Sequence, residues 1–497
     1  MDPFLRTALA AIIASIMAVW VGINLANEEY LVASLSAGLS VWMVLAWVRG
    51  PLTETWLIGF LFFGYIVGNR GFAQITPMAS LPIFSGEIGL GIAATLLAFR
   101  SARGRALPLQ LDGLNLLILL WIALGAGRLW WDVRQYGFLA LRDFAMVYYA
   151  LFFFVAQSLA AHLASSRSLR LWITAGFATL PMTGLLTMIF PQFFLTHLSV
   201  QGVPLIFYKG DLLLTFLFTG YLWLVPIGPA DWRTDWWRWL LAITSLALWI
   251  WEISRASLVG LFVALIWLGY AGCWRPARAA ALTCVIGVLG VLIFSTLGEK
   301  DFTQTRAYAG YEAVLSIVDI EGTQVYAGTT VSDKSDNNRF RVVWWQNVIK
   351  ETLAQNPLLG LGFGHDLAKG FLHDYYPDSG EDFTARSPHS ILVSTFGRMG
   401  FLGLGVLVGI TGYLASGSRA LARRVRRGEM GEEVIRLQSM AWLIFVSACF
   451  GVVLEGPMGA IPFWTILGLA HYAATHPDKA DETAALPAAS LSSATES

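Results

Sequence analysis

Apolar stretches of about 20 residues recur along nearly the whole chain. A bilayer core needs about 20 predominantly apolar residues per helix, within a range of roughly 17–25. By that rule the 497-residue sequence holds about fourteen spans, near 7–26, 31–48, 53–69, 81–99, 113–127, 138–161, 171–190, 211–228, 237–254, 256–273, 279–297, 388–416, 437–454 and 459–475. The third and fifth are the weakest. The ninth and tenth meet around Arg255, which implies a tight hairpin or a broken helix. The expected fold is therefore all-α: a polytopic membrane helix bundle with about 14 transmembrane helices and one large extracytoplasmic loop containing short amphipathic helices.

Composition narrows the function classes. Hydrophobic residues make up 56% of the chain and charged ones 13%, against about 25% charged in an average soluble domain. The 21 Trp, 15 Tyr and 31 Phe suit membrane interfaces. A soluble enzyme, a disordered protein and a nucleic-acid binder are all excluded. Lys and Arg together balance Asp and Glu at 33 each, so no net field recruits nucleic acid or an acidic partner. Cys273, Cys284 and Cys449 lie in or beside apolar stretches without metal-ligand spacing and read as small buried hydrophobes. The first apolar run is too long for a signal-peptide core and reads as a retained span.

Charge asymmetry orients the bundle. Alternate loops carry Arg49; Arg100, Arg103 and Arg105; Arg167 and Arg170; Arg233 and Arg238; Arg275 and Arg278; and Arg419 with Arg423, Arg424, Arg426 and Arg427. Short basic loops face the cytoplasm. Residues 1–297 then form an N-terminal transmembrane region of about 11 spans, and 298–387 a periplasmic loop with an amphipathic helix. A C-terminal transmembrane region of about 3 spans covers 388–475, and 476–497 read as a disordered cytoplasmic tail. Both termini are cytoplasmic in a bacterial inner membrane. On this topology Arg70, Arg128, Arg134, Lys209, Arg255, Arg339, Arg341 and Arg398 all fall on the outer side, where the charge rule does not place them. Any one of them fits an ordinary ion pair, such as Arg128 with Asp132, Arg142 with Asp143 or Lys209 with Asp211. Several on one face point to an anionic ligand.

Three motifs could carry chemistry. The stretch Asn337-Asn338-Arg339-Phe340-Arg341-Val342-Val343-Trp344-Trp345 has helical periodicity, with the Asn pair placed to cap its start. It reads as an amphipathic helix lying on the membrane, Trp side down and Arg presented sideways, and fits an interfacial anchor and a binding site equally. The run Leu359-Gly360-Leu361-Gly362-Phe363-Gly364-His365-Asp366 could gather backbone N–H groups around an anion. It lacks the ending of a nucleotide-binding loop, and a packed turn fits it better. In Ser387-Pro388-His389-Ser390, Ser387 suits an N-cap and Pro388 the first helical position. His389 then sits in the first turn, where the helix dipole and neighbouring Arg favour neutral imidazole. That imidazole could take a proton from a hydroxyl or simply cap the helix. Glu87 and Glu455 could hold an outer Arg or a sugar hydroxyl, structural pairing being the plainer reading. His365 and His373 with Asp366 or Asp374 match no zinc template, so no metal or cofactor is expected.

Ser254-Arg255 at a hairpin, Arg341 with Trp345, Asn356-Pro357 before the Gly run, and His389 followed by Gly397-Arg398-Met399-Gly400-Phe401-Leu402-Gly403 together resemble the O-antigen ligase/polymerase (Wzy-type) superfamily. The likeness covers about residues 250–405. One departure is His389-Ser390, where members commonly have His-Asn. The resemblance implies a glycosyltransferase acting in surface polysaccharide (O-antigen or exopolysaccharide) biosynthesis. Its donor is an undecaprenyl-diphosphate-linked glycan, and its acceptor a hydroxyl of a glycan or of lipid A-core. It also implies that Arg255 and Arg341, with Arg339 as second candidate for the latter role, bind the diphosphate while His389 acts on the acceptor. Arg70, Lys209, Arg398 and Glu455 are secondary candidates. Membrane lipids and polysaccharide assembly proteins are the expected partners. A lipid-linked-sugar flippase and a non-catalytic component of an export complex are the competing readings.

Overall fold

The structure is a computed structural model that describes residues 18–27, 51–76, 84–102, 112–200, 202–226, 232–248, 254–297, 329–371 and 386–477, with a few isolated positions. The first two apolar stretches and the tail lie largely outside the described residues. From the third stretch onward, each apolar run corresponds to helix. In chain order the helices are α1 (Pro51–Val67), α2 (Arg70–Ala73), α3 (Ser85–Ala102), α4 (Gly113–Tyr136), α5 (Phe138–Asp143), α6 (Ala145–Tyr148), α7 (Leu151–Ala160), α8 (Leu163–Ile189) and α9 (Pro191–Thr196). Then follow α10 (Gly210–Leu224), α11 (Trp232–Ala247), α12 (Arg255–Tyr270), α13 (Arg275–Leu297), α14 (Thr329–Gln355), α15 (Ile391–Arg426), α16 (Glu432–Cys449) and α17 (Pro457–Thr475). A two-stranded antiparallel ribbon, Ser199–Val200 with Val203–Pro204, precedes α10.

Four helical segments are long and apolar enough to cross a membrane: Gly113–Tyr136, Phe138–Ala160, Leu163–Ile189 and Ile391–Arg426. Leu116, Leu119 and Leu120 on α4 and Leu171, Met182 and Ile189 on α8 are exposed apolar side chains of the kind lipid covers. The fifth apolar stretch extends beyond its expected end at 127 to Tyr136. Arg128 and Asp132, one turn apart, pair at 3.2 Å and let the helix continue through both charges.

At the centre, nearly every side chain of α10 and α17 is buried. Small residues let backbones approach. A Cβ on Gly260 of α12 would lie 2.6 Å from the Leu443 carbonyl of α16, and one on Gly468 of α17 would strike the Phe153 carbonyl of α7.

Two features set the geometry of the His389 region. Helix α15 is kinked at Gly400, whose φ of 61° suits glycine alone. The kink exposes backbone donors, and the Pro357–Leu358 turn satisfies them: Phe401 N donates to the Pro357 carbonyl at 2.8 Å and Leu402 N to that of Leu358 at 3.2 Å. The Gly run is the second feature. Gly360, Gly362 and Gly364 all have positive φ (74°, 97° and 89°). The amide of Phe363 donates to Asp132 Oδ2 at 2.7 Å and that of Gly364 to Asp143 Oδ2 at 3.0 Å. The run is therefore a packed turn, the reading favoured from the sequence, and the anions its amides gather are this chain's own carboxylates. Arg398 closes the network, its Nη2 2.9 Å from Asp143 and its Nη1 reaching the carbonyls of Gly362 and His365 at 3.2 and 3.3 Å.

Candidate functional site

Helix α14 begins at Thr329, so Asn337 and Asn338 lie within it and do not cap it. Its Trp residues face protein, not a membrane surface. Trp344 is fully buried, stacked on Phe371 at 5.4 Å, with its Nε1 donating to the Leu367 carbonyl at 2.8 Å. Trp345 Nε1 donates to the Pro388 carbonyl at 2.6 Å, tying the helix to the His389 turn. Residues two apart on a helix point to opposing sides, and this separates the two arginines. Arg339 is exposed. Arg341 turns inward, its Nη1 donating to the Phe450 carbonyl at 2.8 Å. Its Nε is buried and has no hydrogen-bond partner among the described residues. A guanidinium anchored through one Nη keeps its Nε side available, and that side can meet two oxygens of a phosphate.

His389 differs from its expected position by one residue. The N-cap of α15 is Ser390, whose hydroxyl accepts from Val393 N at 3.5 Å, so His389 lies just before the helix and not in its first turn. This supplies the role of the serine that stands where relatives carry Asn, both being good N-caps. His389 itself has φ 57°, the left-handed region that few non-glycine residues occupy. Such backbone needs outside support. Trp345 holds the preceding carbonyl, the His389 amide donates to Ser387 Oγ at 3.3 Å, and the Trp344 ring lies 5.8 Å away. Burial, then Arg341 and Lys209, depress the imidazole pKa to about 4, partly offset by Asp211. The neutral state expected from the sequence follows, with burial as the leading cause in place of the helix dipole.

The remaining cations arrive from three other elements. Asn69, fully buried and also left-handed at φ 51°, accepts from the backbone N–H of both Arg70 (3.0 Å) and Lys209 (3.2 Å). One amide oxygen thus binds the start of α2 to the residue that precedes α10. Asn69 was not legible as a site residue, although Gly68-Asn69 is a turn signal. Burial lowers the Lys209 pKa, with Arg70 and Arg341 adding to the effect and Asp211 and Glu455 opposing it. Arg341 is likewise lowered by burial and supported by Asp211. Arg255 opens α12 directly after the N-cap Ser254. Ser257, two residues on, donates to the Asp211 carbonyl at 3.2 Å and bonds the Thr215 hydroxyl at 2.9 Å, which packs the start of α12 against the start of α10.

The carboxylates separate. Glu455 accepts from the hydroxyls of Ser387 and Ser394, which bracket His389. Burial raises its pKa to about 7 against the pull of Ser394, Arg398 and Lys209. Glu87 is taken up by the hydroxyls of Tyr148, at 2.6 Å, and Tyr149. Arg398 is spent on Asp143 and the Gly-run carbonyls, though near enough to Glu455 to act on its charge. The structure therefore brings Arg341, His389, Lys209, Arg70 and Glu455 together, sets the start of α12 beside that of α10, and leaves the exposed Arg339 aside.

Residues 240–408 match the family model described as O-antigen ligase. That segment, about a third of the chain, is similar to the O-antigen ligase family. The match holds Arg255, Arg341, His389 and Arg398, while Arg70, Lys209 and Glu455 lie outside it. A search of curated proteins finds no match. Arg341 and His389 of the matched segment thus meet Lys209, Arg70 and Glu455 from elsewhere in the chain.

Proposed function

We propose that this protein is a membrane glycosyltransferase that moves a glycan from a polyprenyl-diphosphate-linked donor to a sugar hydroxyl at the extracytoplasmic face. The observation that carries the reading is the pairing of Arg341, with its unengaged Nε edge, and the neutral imidazole of His389 within one cationic group. A diphosphate leaving group departs as an anion and needs charge neutralisation more than a proton. Arg341, Lys209, Arg70 and Arg255 supply it, the arginines with fork geometry suited to phosphate oxygens. His389 stays unprotonated through the neutral range and takes the acceptor proton as the hydroxyl oxygen bonds to the anomeric carbon. The bond from that carbon to the diphosphate oxygen breaks in the same step, so the configuration inverts. General-base help of this kind is worth about 10²–10⁴-fold. The neutralisation that a metal ion could give comes here from guanidinium and ammonium groups. The remaining apolar helices serve as further spans in a bacterial inner membrane, with 298–387 on the periplasmic side.

Reconstituted protein supplied with an undecaprenyl-diphosphate oligosaccharide and a glycan or lipid A-core acceptor should release undecaprenyl diphosphate and form the new linkage. Arg341→Ala and His389→Ala should each abolish product while the protein remains inserted. Normal transfer by both variants, or a retained anomeric configuration by NMR, defeats the mechanism. Donor translocation without transfer would favour the flippase reading.

A further inference from the structure

The connector between α16 and α17, residues 450–456, lies beyond the segment that matches the family, yet both reacting groups are fastened to it. At one end the Phe450 carbonyl accepts from Arg341 Nη1 at 2.8 Å. At the other end Glu455 accepts from Ser387 and Ser394, two residues before and five after His389. Between them Gly451 lies against Asp211, whose Oδ2 is 4.0 Å from the place a Cβ would take. Asp211 is the anion that offsets the cations around both Arg341 and His389. The His389 turn has a left-handed residue and a proline beside it, and so little intrinsic preference for its own shape. Trp345 holds it from the side of α14.

We infer that the connector 450–456 is the frame that fixes the separation of the guanidinium and the imidazole, and that Glu455 is a positioning residue for His389. The inference rests on the proposed transfer reaction for its kinetic consequence, though not for its structural one. Glu455 faces Ser387 and Ser394 directly, with Lys209, Arg398 and Asp143 near enough to act on its charge. Its two oxygens bridge the loop before His389 to the first turn of α15, so the imidazole cannot swing away from Arg341. A misplacement on the order of 1 Å at a reacting group can cost about a hundredfold in rate.

The test uses the full chain in detergent or proteoliposomes. Glu455→Ala should lower kcat at least tenfold while leaving the donor KM within twofold, because Arg341 keeps its own bond to Phe450. Glu455→Gln, whose amide can still bridge both serines, should recover most of the rate. A second measurement needs no turnover: the rate at which diethyl pyrocarbonate modifies His389, followed by mass spectrometry. That rate should rise severalfold in Glu455→Ala and return in Glu455→Gln. If Glu455→Ala does not fold, Ser387→Ala with Ser394→Ala removes the same bridge and should reproduce both effects. Unchanged kcat and unchanged modification in the bridge-free variants overturn the inference. So does a Gln variant as impaired as Ala, which would make the charge itself the working feature. Absence of transfer in the native protein with His389 still deprotected by Glu455→Ala would defeat the proposed reaction and leave the frame standing.

Discussion

Asp143→Ala tests the network that seats α15. The carboxylate holds Arg398 Nη2 at 2.9 Å and the Gly364 amide at 3.0 Å, and its side chain is 8% exposed while that of Arg398 is 5% exposed. Removing one partner of a buried pair costs about 3–5 kcal/mol. Two carbonyls, of Gly362 and His365, still face the stranded guanidinium, which argues for the lower part of that range. A further cost, about 1–3 kcal/mol, applies if the Gly364 N–H finds no new acceptor. A loss of about 4 kcal/mol is therefore expected, measured by denaturant unfolding in mixed micelles with tryptophan fluorescence. The cycle with Arg398→Met isolates the pair. The double variant should be less impaired than the sum of the singles by about 1–3 kcal/mol. A single-variant loss below about 1 kcal/mol, or strict additivity, would refute the view of Arg398 as a fastening of the Gly run.

Other outcomes follow from the same geometry. In a Glu455→Gln background, which leaves His389 as the titrating group, the acid limb of kcat/KM should fall near pH 4, because the active unprotonated form persists until the depressed value is reached. A limb at pH 6–7 would contradict the burial described. The sign for stability is parallel: folding favours neutral His389, so its contribution is full above the ordinary value of 6.5 and declines as pH falls toward about 4. Ser390→Ala should cost about 1 kcal/mol of stability as a lost N-cap, and Ser390→Asn only a few tenths, read from the same unfolding curves. Gly362→Ala sets a Cβ 2.5 Å from Asp132 Oδ1 at a φ of 97° and should cost at least about 2 kcal/mol, while Gly370→Ala, with open space around it, should change little.

Helix existence was legible because length and hydropathy are read locally. Helix ends were not, where charges pair. A rule that stops at Arg128 cannot anticipate that Asp132 will answer it and that Phe363, over two hundred residues on, will donate to the same carboxylate. The Gly run illustrates the converse. Its capacity to cradle an anion is written in the glycine spacing, but which anion occupies it depends on where α4 and α5 lie. His389 shows a competition between neighbours. Ser387 and Ser390 are both good caps, and the carboxylate of Glu455 claims the first, so the second starts the helix. Nothing local to the motif contains Glu455. Asn69 was hidden for the same reason, since its importance comes from Lys209 meeting it across the bundle.

The dimensions of α15 constrain how the molecule rides in its bilayer. Beyond the kink at Gly400 its residues 401–426 measure about 39 Å at 1.5 Å per residue, whereas the hydrocarbon layer is about 30 Å thick. With Gly400 level with one surface, about 9 Å of post stands clear of the other, tipped by Arg423, Arg424 and Arg426. Anionic headgroups gather around such a post and resist its withdrawal. The arginine foot would then act as a depth stop, holding the His389 turn at a constant height relative to the bilayer.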